Sequence, residues 1–374
     1  MSRPSYTLNL APLRVPDRRQ TPSPNQPKTV RKFAFGYFFG NRGGHSFREL
    51  AEEYAPFLRE VSFPWPGLLS ACEIDGDPAE LRKQLVDDLR FCRSKDMRLG
   101  LLADATCYGD NAFKFAQRDD YLGHLKEMAD VGVAPDIVTS VSPYIAAITK
   151  IFSGGIERRV SVNAKLFSTL AMDYISSKFD SFCIGRDVQR DLPTMKKFAA
   201  WADKTGKQLC MVANSACLRF CPWQRFHETL CSHHFAHALP EMKRVSMPPT
   251  LCAGMIAEKR YEEILRGSWI RPEDLRRYEP YVSVVSLSTQ EAPRPDLILK
   301  AYTSGSYDGD LLLLLDHDYA SLVAPMMFDN KAFPAEWSEG KIAGLCAADC
   351  THCGKCADTL KRVLKRAPAQ PACF

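Results

Sequence analysis

The end of the sequence carries a group of closely spaced cysteines in the stretch LCAADCTHCGKC. Three, two and two residues separate them, in the order Cys346, Cys350, Cys353 and Cys356. This spacing lets soft thiolates converge on one metal centre. The first three also match the spacing associated with radical use of S-adenosylmethionine, but such ligands normally follow the first strand of a barrel, and these follow the last. The pattern predicts a 4Fe-4S cluster, with a tetrahedral zinc site in the tail as the alternative.

A second group of thiols follows the seventh predicted strand. Three residues separate Cys217 from Cys221, and Cys252 follows in the same long connection. Three thiolates around an iron-sulfur cluster would leave one iron open, and an open position distinguishes a catalytic metal from a structural one. The alternative is a pair of partly buried thiols that flank a turn. Together with the tail, these residues predict one cluster or two.

Several polar residues are candidates for contact with a substrate. His227 is a candidate general base or ligand, or else an ordinary helix residue. Arg186 either holds a substrate carboxylate or phosphate in bidentate fashion or forms a structural pair with Asp187. Asn163 and Asn214 carry amides that can orient a polar ligand. The sequence has neither a nucleophilic serine elbow nor a metalloprotease helix motif, so hydrolysis lacks visible machinery.

The elements that must position these residues alternate, from Lys32 onward, between short β-branched or aromatic runs and helical patterns. This alternation indicates repeated βα units and a parallel sheet. Eight units predict an α/β fold with a (β/α)8 TIM-type barrel, whose functional residues lie at the carboxyl ends of the strands. An open doubly wound sheet is the rival, but no glycine-rich phosphate turn follows the first strand. The predicted strands are KFAFGYFF, EVSFPWPG, MRLGLLADA, PDIVTSVS, RRVSVNAKL, DSFCIGR, KQLCMVANS and YVSVVSLS.

Helices are predicted at 46–59, 78–95, 119–131 and 192–205, with Ser46 and Asp77 placed to cap the first two. The connection between the seventh and eighth strands is far longer than an ordinary βα connection, which favours a functional role. The predicted organisation is a basic arm at 1–31, a barrel at 32–330 with an insertion at about 218–280, and a cysteine-rich metal-binding tail at 331–374.

The arm at 1–31 is rich in proline and polar residues, a composition that predicts disorder. Its basic residues face a single acidic residue, Asp17, and account for much of the net charge of +5. A basic arm can touch nucleic acid or an acidic partner. The rest of the chain is close to neutral, so RNA stays open as a partner but is not the first choice.

No apolar run reaches the roughly 18 residues of a transmembrane helix, and the arm lacks the apolar segment of a signal peptide. We therefore expect no membrane association and a cytoplasmic location. Fourteen cysteines without an export signal are expected to be thiols or metal ligands, because reducing compartments discourage structural disulfides. Those outside the two groups, such as Cys183 and Cys210, are expected to be core or surface thiols.

Four stretches carry a resemblance to a known family: VSVNAKLFSTLAMDYISSKFDSFCIGRDVQRDL, MVANSACLRFCPWQRFHETL, SWIRPEDLRRYE and FPAEWSEGKIAGLCAADCTHCGKC. Together they resemble an uncharacterised branch of the collagenase-like U-thirty-two (U32) peptidase group. The resemblance implies a barrel, a cysteine-bound 4Fe-4S cluster, and oxygen-independent hydroxylation of quinone precursors or RNA bases. It also implies that Cys217, Cys221, Cys252 and the tail cysteines occupy the motif positions of the branch. The glycine and cysteine signature of the better-known members is missing.

These observations lead to three hypotheses. The first is an iron-sulfur barrel enzyme that modifies a small organic substrate by redox chemistry such as oxygen-independent hydroxylation. The second is a peptidase, as the name of the group suggests. The third is a non-catalytic protein that passes electrons to, or assembles with, a related barrel protein or another redox partner.

Overall fold

The computed structural model describes residues 32–70, 77–108, 115–236, 251–338, 346 and 353–368. Eight parallel strands in this part of the chain close into a barrel, in which each strand pairs with its neighbours in sequence. The strands are β1 Phe33–Gly36, β2 Leu58–Pro64, β3 Arg98–Leu102, β4 Ile137–Ser140, β5 Glu157–Val160, β6 Ser181–Cys183, β7 Gln208–Val212 and β8 Val284–Leu287. The barrel closes where Phe33 of β1 lies opposite Val285 of β8. The predicted (β/α)8 fold is confirmed.

The strands form where the chain is buried on both faces, as parallel strands between a barrel interior and a layer of helices must be. Every residue of β1 and of β4 is buried. Each predicted strand overlaps one observed strand. The largest difference is at β5, which ends at Val160, so that the predicted continuation forms a 3-10 turn at Val162–Ala164.

Helices lie between the strands and in the connections after β7 and β8. Their bounds are α1 Phe47–Glu53, α2 Pro78–Ser94, α3 Phe115–Asp130, α4 Pro143–Phe152, α5 Thr169–Ile175, α6 Leu192–Thr205, α7 Gln224–Ala236, α8 Leu251–Ala257, α9 Glu262–Leu265, α10 Pro295–Ser304, α11 Tyr319–Val323, α12 Ala335–Ser338 and α13 Lys355–Val363.

The two predicted helix caps are present. Ser46 and Glu49 form a capping box at α1, in which the Ser46 hydroxyl accepts from the Glu49 backbone N–H and the Glu49 carboxylate accepts from that of Ser46. The Asp77 carboxylate accepts from the Ala79 N–H at 2.7 Å. Helix α1 ends earlier than predicted because the chain must turn to begin β2 at Leu58.

The connection from β7 to β8 contains α7, α8 and α9, followed by 3-10 turns at Pro272–Arg277 and Glu279–Tyr281. After β8, strand β9 (Met326–Phe328) pairs antiparallel with β10 (Leu364–Arg366), which joins the end of the tail to residues that precede it. The arm at 1–31 and Cys350 lie outside the described residues. No helix within the described ranges is long and apolar enough to cross a membrane.

An ionic cluster occupies the inside of the barrel. Both terminal nitrogens of Arg159 donate to the Glu60 carboxylate, at 2.6 and 3.0 Å, and Nη2 also donates to Glu157 at 2.9 Å. All three residues are buried. Burial raises the pKa of Glu157, but Arg159 and Arg98 more than offset it, and the pKa falls to about 2. Buried charges of this kind are tolerated only in pairs.

We expect Arg159→Met to lower the free energy of unfolding by about 3 kcal/mol, because it removes the most buried cation of the cluster and leaves the two carboxylates to the more exposed Arg98 and Arg59. Urea unfolding followed by circular dichroism measures this loss. Lys331→Met is the matched control, because it removes an exposed ion pair with Asp308, with 3.7 Å between Nζ and Oδ2, and should change stability little. Equal losses in the two variants would contradict a stabilising role for the buried cluster.

Candidate functional site

A cavity of about 440 Å³ lies inside the barrel and at the carboxyl ends of its strands. We call its outer part, where the connections after the strands line it, the mouth. The mouth residues used below are Asn163, Arg186, Cys217, His227, Glu228, Asp316 and His317. They come from both halves of the chain, and they meet because every parallel strand ends on the same face of a closed barrel.

Arg186 follows β6, and its guanidinium is largely enclosed. Nε donates to the Ser215 hydroxyl at 3.0 Å, and Nη1 donates to Asn163 Oδ1 at 3.0 Å and to Glu228 Oε1 at 3.2 Å. Nη2 has no hydrogen-bond partner among the described residues. Burial lowers the pKa of Arg186, and neighbours that include Cys217 and Glu228 raise it above its usual range, so the side chain stays charged.

The turn before Arg186 requires a glycine. A Cβ atom at Gly185 would lie 2.5 Å from Cε1 of Phe167 and 2.9 Å from the carbonyl oxygen of Leu166. The Gly185 N–H donates to that same oxygen at 3.1 Å. The segment after β5 therefore packs directly on the segment after β6, and this contact brings Lys165 close to Arg186.

Glu228 of α7 bridges two cations of the mouth. Its Oε2 atom lies 3.3 Å from Lys165 Nζ, and its Oε1 atom lies 3.2 Å from Arg186 Nη1. Burial raises the pKa of Glu228, while the two cations pull it down, and the net direction is upward. The sequence reasoning selected His227 and missed Glu228, although an acidic residue beside His227 was a visible signal.

Asp316 and His317 form a second charged pair, just beyond the buried 3-10 turn Leu311–Leu314. Asp316 Oδ1 accepts from the Ala216 N–H at 2.7 Å and lies 2.9 Å from His317 Nδ1. Burial lowers the pKa of His317, but the Asp316 carboxylate more than reverses this and raises it to about 9. The sequence reasoning missed this pair, for which a polar DHD triplet after a leucine run was the available signal.

His227 also lines the cavity, but its environment shifts the pKa of its imidazole in the opposite direction from that of His317. Burial, and then the nearby charge of His317, lowers the pKa of His227 below its ordinary value. At neutral pH the mouth therefore holds one neutral imidazole and one imidazolium. A neutral imidazole can accept a proton and an imidazolium can donate one, which is the pairing that general acid–base catalysis uses.

The predicted thiols after β7 come close to one another. Burial raises the pKa of Cys217 to about 11, against the effect of Arg186. Burial and then Cys252, among other groups, raise the pKa of Cys221, and Tyr319 has both Cys252 and Cys217 as neighbours. Among the described residues, however, no group of three or more Cys, His, Asp or Glu side chains is placed to hold a metal ion.

Burial lowers the pKa of the Arg190 guanidinium, and the tail residues Cys346 and Cys356 are among the groups that raise it. That guanidinium lies over the rings of Trp269 and Trp337, at 5.4 and 5.1 Å. Cys353 is exposed, and Cys350 lies outside the described residues. Among the described residues, the tail thiols do not form a group of three that could hold a metal ion.

The interpretation of Cys183 and Cys210 as free thiols is wrong. The two residues lie opposite each other on β6 and β7, and their sulfur atoms form a disulfide. In-register residues of neighbouring parallel strands point to the same side of the sheet, which brings the two side chains together. Both residues line the cavity.

Two further expectations need correction. The Asn214 amide is fully buried and bonded to backbone: Nδ2 donates to the Ser288 and Leu314 carbonyls, and Oδ1 accepts from the Ser288 N–H. Asn214 therefore joins β7 to the segment after β8, and its amide is not available to orient a ligand. The predicted pair of Arg186 with Asp187 is replaced by Arg186 with Glu228, because the Asp187 carboxylate accepts from the Phe220 N–H at 2.6 Å.

We expect the His317 imidazole to titrate near pH 9 and to return toward 6.5 in Asp316→Asn, because the carboxylate is what holds the proton. The pair stabilises the fold below about pH 6.5, and its contribution is lost as the pH rises through about 9. Solvent screening keeps this contribution small, since 37% of the His317 side chain is exposed. The ring resonances in NMR spectra report the midpoint. Asp318→Asn, whose carboxylate caps α11, is the control and should leave the midpoint in place.

Comparison with known proteins gives sequence and structural matches. No protein-family model matches the chain. A curated relative from Methanocaldococcus jannaschii, named as an uncharacterized protease, is 23% identical over 287 residues, which are 76% of this chain and 82% of the relative. A solved U32 peptidase is 15% identical, with a TM-score of 0.49, and the match covers 71% of this chain and 95% of that one. The L-Ala-D/L-Glu epimerase of Bacillus subtilis is 10% identical, with a TM-score of 0.31 over 55% of this chain and 51% of that one.

The match to the curated relative extends over most of both chains, and the barrel has the architecture that the motifs imply. The resemblance read from those motifs is supported as a similarity: over most of its length the chain is similar to a relative that is named as a protease.

Proposed function

We propose that the protein is an enzyme that binds a small organic molecule with a carboxylate group in the mouth of the barrel and transforms it there. The observation that carries the proposal is the Arg186 guanidinium, which is held by Ser215, Asn163 and Glu228 but keeps Nη2 without a partner among the described residues. Because Arg186 lines the cavity, this unpartnered nitrogen is available to donate to a substrate carboxylate, which would give a charge-assisted hydrogen bond.

The charges around Arg186 support a substrate with groups of both signs. Lys165 adds a second cation, while Glu228 and Asp316 supply carboxylates in the same mouth. A molecule that carries both an ammonium and a carboxylate group, such as an amino acid or a short peptide, would find a partner for each. The cavity of about 440 Å³ has the size of a small-molecule site.

The reaction would use the two imidazoles of opposite protonation. His227, neutral at physiological pH, would accept a proton, and His317, held as an imidazolium by Asp316, would donate one.

An iron-sulfur cluster, and with it redox modification of the substrate such as oxygen-independent hydroxylation, remains part of the proposal on the content and spacing of the thiols alone. The described thiols do not form a metal-holding group. A cluster in the tail would therefore need Cys350, outside the described residues, to join the other three.

A second candidate is a peptidase that acts on short peptides. Two observations favour it: the curated relative is named as a protease, and Asp316 orients His317 as an acid–base residue needs. The absence of a serine elbow and of a metalloprotease helix in the sequence counts against it.

A matched pair of small ligands tests the carboxylate subsite. We expect N-acetylglycine, but not its neutral analogue N-acetylglycinamide, to raise the melting temperature of the protein, because only the acid can pair with Arg186. Arg186→Gln should weaken binding of the acid by at least about tenfold, the loss expected for one hydrogen bond to a charged group. Arg362→Gln on the exposed face of α13 should leave the response unchanged. An equal response of the wild-type protein to both ligands would contradict the proposal.

Iron and sulfide analysis separates the two candidates. We expect anaerobically purified protein to contain both elements, and Cys217→Ser and Cys353→Ser each to reduce them. Partial retention in Cys217→Ser would indicate two centres. The same preparations are assayed for cleavage of short peptides before and after chelation. Protein without iron that still cleaves peptides, and loses this activity in His317→Gln, would favour the peptidase instead.

A further inference from the structure

We infer that the Cys183–Cys210 bond is a redox-active disulfide, opened by a small thiol that enters through the mouth of the barrel. Neither of the functions proposed above uses this bond.

The position of the bond makes it reachable from the cavity. The two residues are paired in register on β6 and β7, with 4.5 Å between their Cα atoms, and both line the cavity wall. Their apolar neighbours are the small or β-branched side chains Ala34, Val162 and Val284, which form a cluster separate from the main core. The sulfur atoms thus face the space where a small molecule would bind.

The fold does not depend on the cross-link. Strands β6 and β7 are already joined by backbone pairing of Ser181 with Gln208 and of Phe182 with Leu209, and the Ile184 N–H donates to the Cys210 carbonyl at 2.9 Å. Both strands also pair with their outer neighbours around the closed barrel. The bond can therefore open while the barrel stays folded.

The two cysteines differ in exposure: 7% of the Cys183 residue and 2% of the Cys210 residue are exposed, so Cys183 is the more accessible of the two. An incoming thiolate therefore attacks Cys183, and the Cys210 sulfur is the leaving group.

The chemistry is thiol–disulfide exchange, and it balances without a metal. One small thiol attacks Cys183 Sγ as the thiolate; the Cys183–Cys210 bond breaks, a mixed disulfide forms on Cys183, and Cys210 leaves and takes up a proton. A second small thiol, as the thiolate, attacks the sulfur atom that the first small thiol contributed to the mixed disulfide. The Cys183 sulfur then leaves and takes up a proton. The small thiol is oxidised to its symmetric disulfide, and both cysteines are reduced to thiols that carry the two protons.

The mouth selects the class of thiol. Arg186 lines the same cavity as the bond, so if the proposed carboxylate subsite is correct, its Nη2 favours a thiol that carries a carboxylate. The selectivity for charge rests on the proposed function, whereas the reactivity of the disulfide does not.

The first experiment asks whether the bond forms and opens in the folded protein. Protein purified without reductant is denatured and alkylated, and peptides with Cys183 and Cys210 should be unmodified. After incubation of folded protein with 2-mercaptoethanol, both should be alkylated while the circular dichroism spectrum is unchanged. Alkylation without any reductant, or reduction only after denaturation, would overturn the inference.

The second experiment tests the direction of attack with matched variants. Cys210→Ser treated with 3,3′-dithiodipropionate should form a mixed disulfide on Cys183, seen as a mass increase in the intact protein, at least about tenfold faster than Cys183→Ser forms one on Cys210. Equal rates would overturn the assignment of Cys183 as the attacked sulfur.

The third experiment separates this inference from the proposed function. Corrected for the fraction of thiolate, 3-mercaptopropionate should reduce the wild-type bond faster than 2-mercaptoethanol, and Arg186→Gln should remove the difference. Reduction by both thiols at one rate would overturn the carboxylate selectivity and the proposed subsite with it, while the redox-active bond would stand on the first experiment.

Discussion

Closure of the parallel barrel is the constraint on which everything else in this structure depends. Once β8 pairs with β1, the carboxyl ends of all eight strands lie at one rim, and residues far apart in sequence become neighbours there. The contact between Arg186 after β6 and Glu228 in the next long connection is one result. The bond from the Ala216 N–H to Asp316, across 100 residues, is another.

Charge compensation is the second organising principle. Inside the barrel, Arg159 pairs with Glu60 and Glu157, and each nitrogen of its guanidinium donates to a protein group. In the mouth, Arg186 has a similar set of partners but one nitrogen left over. The two arginines differ in whether every donor is satisfied within the protein, and the proposed binding of a carboxylate at Arg186 depends on that difference.

The sequence was sufficient for the fold because barrel strands and helix caps are local signals. The strand KFAFGYFF and the Ser46 capping box depend only on neighbouring residues, and both were predicted. The mouth could be predicted only in part. Asn163, Arg186 and Cys217 lie where the strand-end rule places them, and His227 lies on α7 in the connection after β7. Asn214 obeys the same rule yet bonds to backbone, and Glu228 and His317 lie beyond any strand end, so only the packing of the connections reveals them.

The glycine at position 185 links two parts of the mouth that the sequence keeps twenty residues apart. The Phe167 ring and the Leu166 carbonyl fill the space where a side chain at position 185 would be. Lys165 and Arg186 therefore lie next to the same backbone contact, that between Leu166 and Gly185. A substitution that shifts the backbone at Lys165 is therefore expected to shift the backbone at Arg186 as well. If the mouth binds the proposed substrate, its specificity is expected to change more readily through α7, at positions other than Glu228, which pairs with both cations.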